Sequence, residues 1–142
     1  MPNLNGFSYL KDCVFGIDWQ APATTSPNKT LLLNLAAVFS SKWPYQSELK
    51  FNLYVSSVYS SGKAIMNSRN LDKLVIYNTN YPIDEEAVLE LLKLLKKADF
   101  EVEYIKGRLQ VSELLHICSN SNLAIITRLH AGLIAYIAKC EI

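Results

Sequence analysis

The sequence predicts an α/β fold, a Rossmann-like parallel sheet with helices on both faces. Three observations carry this prediction: short strand-like runs, helical segments that alternate with them, and short connections between the two. Short apolar runs bounded by turn formers are typical of strands buried on both faces of a parallel sheet. Their alternation with helices implies right-handed crossover connections. The predicted strands occupy residues 31–35, 74–77, 102–105 and 123–126.

The chain has room for one domain, because its 142 residues match the roughly 100 to 150 residues that a single domain commonly contains. Half of the residues are hydrophobic and only 19% are charged, which excludes the disordered class. Residues 1–29 form a predicted lead-in segment and loop, since Pro22 and Pro27 forbid regular helix there. Residues 30–142 form the predicted Rossmann-like domain, which we expect to be incomplete at its C-terminal end.

The first predicted helix covers residues 45–66. An apolar stripe recurs in this segment at helical spacing, and such a stripe is expected to face the core. It consists of Tyr45, Leu49, Leu53 or Tyr54, and Val58. Serines and β-branched residues weaken the helix propensity of the segment.

The helix predicted over residues 84–97 has the strongest local signals. Asp84 is the predicted N-cap, acidic residues follow it, and lysines lie near the end, all of which complement the helix dipole. The expected buried stripe consists of Val88, Leu91, Leu92 and Leu95. The predicted core residues are Leu91, Leu95, Ile125 and Leu133.

The last third of the chain repeats the strand and helix pattern. Residues 101–105 alternate like a strand, and Ser112 is predicted to open a short helix that continues to Cys118. The final strand is followed by a helix whose apolar stripe consists of Leu129, Leu133 and Ile137.

Composition and charge exclude several functions. The net charge is +1 and Lys96 and Lys97 are the only adjacent basic pair, so no nucleic-acid partner is indicated. Cys13, Cys118 and Cys140 form no CxxC pair, which indicates neither a zinc site nor a disulfide framework. No apolar window reaches the roughly 18 residues of a membrane span, and no glycine-rich nucleotide motif is present. We therefore expect a soluble cytoplasmic protein without a metal or cofactor.

Ligands of parallel α/β sheets bind beyond the carboxyl ends of the strands, where helix N-termini present free N–H groups. This rule selects residues 34–41, 78–84 and 127–132, of which the last segment is the most informative. It delivers Arg128 and His130 to the first turn of a helix. An arginine can hold a carboxylate or phosphate with paired hydrogen bonds, a histidine can exchange a proton near neutral pH, and Gly132 would let a ligand approach the backbone.

Residues 125–135 read Ile-Ile-Thr-Arg-Leu-His-Ala-Gly-Leu-Ile-Ala and resemble the signature of the polysaccharide pyruvyltransferase family. The resemblance extends over residues 30–142 and implies one half of a glycosyltransferase B type fold. It implies transfer of pyruvate from phosphoenolpyruvate to a sugar of a surface polysaccharide, in exopolysaccharide biosynthesis. Arg128 would then bind the phosphoenolpyruvate donor, and His130 would bind it and serve as the catalytic residue.

Members of that family have a second domain and roughly twice this length, so activity would require a companion domain or an oligomer. Two alternatives remain open on the sequence. The chain can be half of another glycosyltransferase B type nucleotide-sugar enzyme, in which Arg128 would meet a diphosphate. It can also be a non-catalytic α/β module that binds a partner protein.

Other polar or aromatic groups are better explained by structure than by chemistry. His116 is interpreted as a hydrogen-bonded helix residue, and the acidic run that begins at Asp84 is explained by helix capping. Trp43, Pro44 and Tyr45 follow the first strand and can stack on a sugar or base, but ordinary packing is the better explanation for them.

Overall fold

A computed structural model describes residues 28–142. Of the predicted lead-in segment 1–29, residues 1–27 lie outside the described part. The strands are β1 (Asn28–Asn34), β2 (Lys73–Tyr77), β3 (Glu101–Ile105) and β4 (Ser121–Ile126). The helices are α1 (Glu48–Ser68), α2 (Glu85–Leu95), α3 (Val111–Ser119) and α4 (Leu129–Ile137).

The four strands form one sheet in the order β3-β2-β1-β4, and every pairing is parallel. The centre of β1 pairs on both sides, since Leu32 lies opposite Val75 of β2 and opposite Ala124 of β4. The predicted Rossmann-like α/β fold with a parallel sheet is confirmed. Each predicted strand lies within an observed strand except at residue 35, which follows the end of β1.

Helices cover both faces of the sheet, as alternation along β1 requires. Leu31 and Leu33 of β1 belong to the apolar cluster beneath α1 and α2. Leu32 belongs to the opposite cluster, beneath α3 and α4. In the described part of the chain, no helix is long and apolar enough to cross a membrane.

The apolar stripe predicted for α1 is wrong for Tyr45, Leu49 and Leu53, whereas Tyr54 and Val58 do pack against the core. Tyr45, Leu49 and Leu53 are 79%, 72% and 59% exposed, while Tyr54 and Val58 are only partly buried. The residues of α1 that reach the core are Phe51, Val55, Gly62 and Met66. The helix begins at Glu48, because the Ser47 side chain accepts a hydrogen bond from the backbone N–H of Lys50. The true buried face is therefore displaced around the helix by two residues from the predicted one.

The later helices match their predictions in part. Val88, Leu91 and Leu95 of α2 are buried and Leu92 is partly buried. Helix α3 begins at Val111 instead of Ser112, because Gln110 and Glu113 form a capping box. In α4 the buried residues are Ala131, Ile134 and Ala135. Leu129 is 75% exposed, and Leu133, like Ile125 of β4, is only partly buried.

Two helical glycines give a test of this packing. A methyl group at Gly62 would meet no atom within 4 Å, and one at Gly132 would lie 3.8 Å from Cγ2 of Ile126, which is an ordinary contact. Replacement of either by alanine should therefore raise the free energy of unfolding by about 0.5 to 1 kcal/mol. Urea unfolding measures the change. Gly107→Ala is a control with the opposite expected sign. Gly107 has φ 109°, where an alanine is strained, so this substitution should lower the free energy of unfolding.

Candidate functional site

The three segments that the sequence selected meet at the carboxyl edge of the sheet. The last residue of β1, Asn34, lies opposite Tyr77 of β2 and Ile126 of β4. Helix α1 leaves β1 toward one face of the sheet, and α4 leaves β4 toward the other. The edge between β1 and β4 is therefore a topological switch point, where parallel α/β sheets open a crevice for ligands.

Arg128 and Asp84 form a paired contact at this edge. Nε of Arg128 donates to Oδ2 of Asp84 at 3.0 Å, and Nη2 donates to Oδ1 at 2.6 Å. The Asp84 side chain is fully buried, while that of Arg128 is 27% exposed. The backbone N–H of Ala37 also donates to Oδ1 of Asp84, at 2.9 Å. One buried carboxylate thus joins the loops that follow β1, β2 and β4.

The prediction of Asp84 as the N-cap residue of α2 is confirmed, but its side chain does not make the expected capping hydrogen bond. The backbone of Asp84 is helical, with φ −79° and ψ −6°. The carboxylate turns instead toward Ala37 and Arg128. Two charge-assisted bonds to a guanidinium are stronger than one bond to a helix N–H group, which explains the preference.

Thr127 links the end of β4 to the end of β1 by hydrogen bonds. Its Oγ1 donates to the carbonyl of Asn34 at 2.9 Å and accepts from the N–H of Ala36 at 2.7 Å. Its own backbone N–H donates to the Asn34 carbonyl at 3.2 Å. These bonds fix the turn that carries Arg128, while Asp84 holds its guanidinium. The position of the Arg128 side chain is therefore fixed at its backbone and at its charged end.

The N–H groups of Arg128 that Asp84 does not engage indicate an anionic ligand. Nε and Nη2 are bonded to Asp84, and Nη1 donates to no group in the described part of the chain. Arg128 precedes the first turn of α4, whose N–H groups and positive dipole end favour an anion. His130 lies in the same turn and is exposed. The edge therefore combines a positioned guanidinium, a helix N-terminus and an imidazole.

Tyr54 is a residue of this site that the sequence did not single out for chemistry. It projects from α1, and its hydroxyl is inaccessible to solvent and makes no well-formed hydrogen bond with the described residues. The hydroxyl lies beside Thr127 and the backbone of Ala36, and burial raises its pKa. The phenol thus stays neutral at physiological pH. Asn34 has a similar unsatisfied group, since its Nδ2 donates to the Tyr77 carbonyl while its buried Oδ1 has no hydrogen-bond partner among the described residues.

Other predicted candidates lie apart from this junction. His116 is an exposed residue of α3 whose Nε2 lies 3.3 Å from Nδ2 of Asn120, consistent with a structural role. Trp43 is partly exposed and Pro44 and Tyr45 are exposed. Gly132 makes no close backbone contact that requires a glycine.

Of four clefts in the described part of the chain, none is lined by Arg128 or His130. The largest, of about 670 Å³, includes Lys29 and Lys73 at the amino ends of β1 and β2. Those charges are neutralised within the fold, because Lys29 pairs with Asp72 and Lys73 pairs with Glu101 and Glu103. Size alone therefore does not make it a better candidate than the carboxyl edge.

The cysteines of the described part are unsuited to nucleophilic chemistry. Cys118 and Cys140 are free and buried. Burial raises the pKa of Cys118 to about 12 and that of Cys140 to about 11, so both remain thiols at neutral pH. Among residues 28–142, no three His, Cys, Asp or Glu side chains are grouped so that they could hold a metal ion.

Comparison of the chain with models of protein families, with curated proteins and with solved structures gave no match. The family assignment thus remains a prediction that rests on residues 125–135.

Proposed function

We propose that the domain is pyruvyltransferase-like and binds phosphoenolpyruvate at the carboxyl edge of its sheet, beside Arg128 and His130. Completed by a companion domain, it would transfer pyruvate to a sugar of a surface polysaccharide. The proposal extends the resemblance of residues 125–135 to that family. Its main structural support is the position of Arg128 at the switch point between β1 and β4.

The pair with Asp84 gives Arg128 a defined orientation. A guanidinium has five N–H donors, and Asp84 engages Nε and one donor of Nη2. The donors that remain, on Nη1 and Nη2, can bind a carboxylate or phosphate without breaking the internal pair. A second anion at this edge would also gain from the N-terminus of α4.

The residue types suit ketal formation from phosphoenolpyruvate. A proton must reach the methylene carbon, and carbon 2 then becomes cationic and forms a bond to a sugar hydroxyl oxygen. Phosphate leaves, and a second hydroxyl oxygen takes its place. Of the two hydroxyl protons released, one replaces the proton given to the methylene carbon and the other goes to the phosphate. His130 would deliver the proton, and Arg128 would hold the anion while charge develops. Exclusion of water would require the companion domain.

Phosphoenolpyruvate should bind the full chain weakly, and Arg128→Lys should weaken binding by about tenfold or more. An ammonium cannot make the paired contact of a planar guanidinium, and each tenfold loss corresponds to about 1.4 kcal/mol. Nuclear magnetic resonance titration, following the Arg128 and His130 signals, measures this. Arg69→Lys is the matched control, because Arg69 bonds the exposed Glu141 and not Asp84.

The outcomes separate the competing functions. Shifts at Arg128 and His130 that saturate with phosphoenolpyruvate support the proposal, provided that the response of His130 weakens in Arg128→Lys. Saturation by a nucleoside diphosphate sugar instead would favour another glycosyltransferase B type enzyme. If neither ligand moves these signals in a folded protein that includes a companion domain, the assignment of the site is wrong.

A non-catalytic interaction module is the second candidate, and two observations favour it. The strongest bonds of Arg128 go to a protein group, Asp84, and not to an open cleft. Leu49 and Leu53 of α1 are also exposed one helical turn apart, and Tyr45 is exposed in the turn before the helix. Substitution of Leu49 and Leu53 by serine should leave ligand binding unchanged and abolish partner binding if this function is the correct one.

A further inference from the structure

We propose that the cleft between the loops after β2 and β3 binds a sugar acid, with Arg108 holding its carboxylate. This Arg108 cleft has a volume of about 260 Å³. It is lined by Thr79, Asn80, Tyr81, Arg108, Leu109 and Leu114. The inference is independent of the proposed function, since it requires no donor at Arg128.

The charge of the Arg108 cleft is not compensated within the described part of the chain. The sequence contains three arginines. Arg69 bonds Glu141 and Arg128 bonds Asp84, whereas Arg108 makes no ion pair or side-chain hydrogen bond with any described residue. Lys106, two residues earlier, pairs with Glu85 at 2.9 Å.

The lining distinguishes this cleft from the other three. Each of those includes at least one acidic side chain: Asp72 and Glu103 in the largest, Glu48 and Glu86 in the second, and Glu141 in the third. Among residues 28–142, no acidic side chain lines the Arg108 cleft. Of the four clefts, it alone therefore presents a positive charge without a negative one.

The cleft lies at the carboxyl edge of the sheet, away from the switch point between β1 and β4. Thr79, Asn80 and Tyr81 follow β2, and Arg108 follows β3, so both loops are at the carboxyl edge of the sheet. Leu114 of α3 is 5% exposed and forms an apolar floor. A few polar groups around an apolar floor are typical of small-molecule sites.

The residue types indicate a hydroxylated ring that carries a carboxylate. Arg108 can hold a planar carboxylate with two parallel hydrogen bonds. The Thr79 hydroxyl and the Asn80 amide can bond ring hydroxyls, and the Tyr81 ring offers an apolar face to the C–H groups of a sugar. The volume of about 260 Å³ lies just below the roughly 300 Å³ of the smallest drug-sized pockets, which suits a single ring.

The Arg108 cleft is separate from the edge at Arg128. In the strand order β3-β2-β1-β4, Arg108 follows one outer strand and Arg128 follows the other. Three strand spacings of about 4.8 Å place the two strand ends about 14 Å apart. Binding at one place can thus be measured and abolished without the other.

Glucuronate and glucose titrated into the full chain test the inference. Glucuronate should shift the amide signals of Thr79, Asn80, Tyr81 and Arg108 to saturation, and glucose should not. Arg108→Gln should weaken glucuronate binding by about tenfold, since it removes the charge and the paired donors. Lys106→Gln is the matched control, because it removes a neighbouring positive charge that Glu85 already neutralises.

Arg108 is exposed, so its substitution should leave the fold intact. Thr79→Val is a second variant, which should weaken binding through loss of one hydroxyl. Three results would each overturn the inference: equal shifts with glucose, unchanged affinity in Arg108→Gln, or an equal loss in Lys106→Gln. Shifts caused by glucuronate at Arg128 in place of Arg108 would overturn it as well, and would leave the proposed function standing.

Discussion

Replacement of Asp84 by alanine should lower the free energy of unfolding by about 3 to 5 kcal/mol, the usual cost of removing one partner from a buried ion pair. Asp84 is fully buried and accepts hydrogen bonds from Arg128 and from the N–H of Ala37. Its loss leaves a guanidinium that is only 27% exposed without its counter-ion. It also leaves a buried backbone donor without an acceptor, which is costly in itself.

Urea unfolding with a matched control measures this effect. Glu141→Gln removes a carboxylate from the Arg69 pair, whose side chains are 57% and 56% exposed. That pair should contribute at most about 1 kcal/mol. If Asp84→Ala does not fold, Asp84→Asn supplies a milder variant, because the amide oxygen can still accept from Ala37.

A double-mutant cycle with Arg128→Met identifies the cause. The two single changes at Asp84 and Arg128 should each destabilise, and the double variant should lose less than the sum of the two. Loss from Asp84→Ala no greater than that from Glu141→Gln would mean that the buried pair does not form in solution. If the effects of the two single changes add exactly, the stability lost in Asp84→Ala comes from the hydrogen bond of the Ala37 N–H and not from the pair with Arg128.

The strands could be predicted because their signal is local. In a sheet covered on both faces, a central strand is apolar at nearly every position, and residues 31–35 show this with four leucines and one asparagine. The alternation of strands and helices then leaves few topologies. The order β3-β2-β1-β4 places β4 beside β1, and that non-consecutive pairing is what creates the switch point.

The buried face of α1 could not be predicted because two apolar stripes run along the helix. Tyr45, Leu49 and Leu53 follow helical spacing as well as Phe51 and Val55 do. Periodicity identifies a helix but cannot choose between two such faces. In the structure Phe51 and Val55 are buried, while Leu49 and Leu53 stay exposed.

The partner of Arg128 could not be predicted because it lies 44 residues away in the sequence. Locally, Asp84 and the acidic residues after it have every feature of a capped helix start. The position rule for parallel sheets did select both segments, residues 78–84 and 127–132. The rule could not predict that Asp84 and Arg128 bond each other. Because they do, Nε and Nη2 of Arg128 already donate to a protein carboxylate.

Leu91→Ala should lower the free energy of unfolding by about 2 to 5 kcal/mol. Leu91 is 1% exposed in the centre of α2 and packs in the cluster between α1, α2 and the sheet. Loss of its side chain removes buried apolar surface and leaves a cavity that the rigid sheet can fill only in part.

Leu89→Ala on the same helix is the matched control for Leu91→Ala. Leu89 is 48% exposed, and alanine has a higher helix propensity than leucine, so the control should change stability by no more than about 0.5 kcal/mol. The two substitutions delete the same atoms two residues apart, and any difference therefore reports burial alone. Urea unfolding with an unchanged dependence on denaturant would confirm that both variants unfold from the same native state. Equal effects of the two changes would mean that α2 does not present Leu91 to the sheet, and the loop that delivers Asp84 to Arg128 would then be misplaced as well.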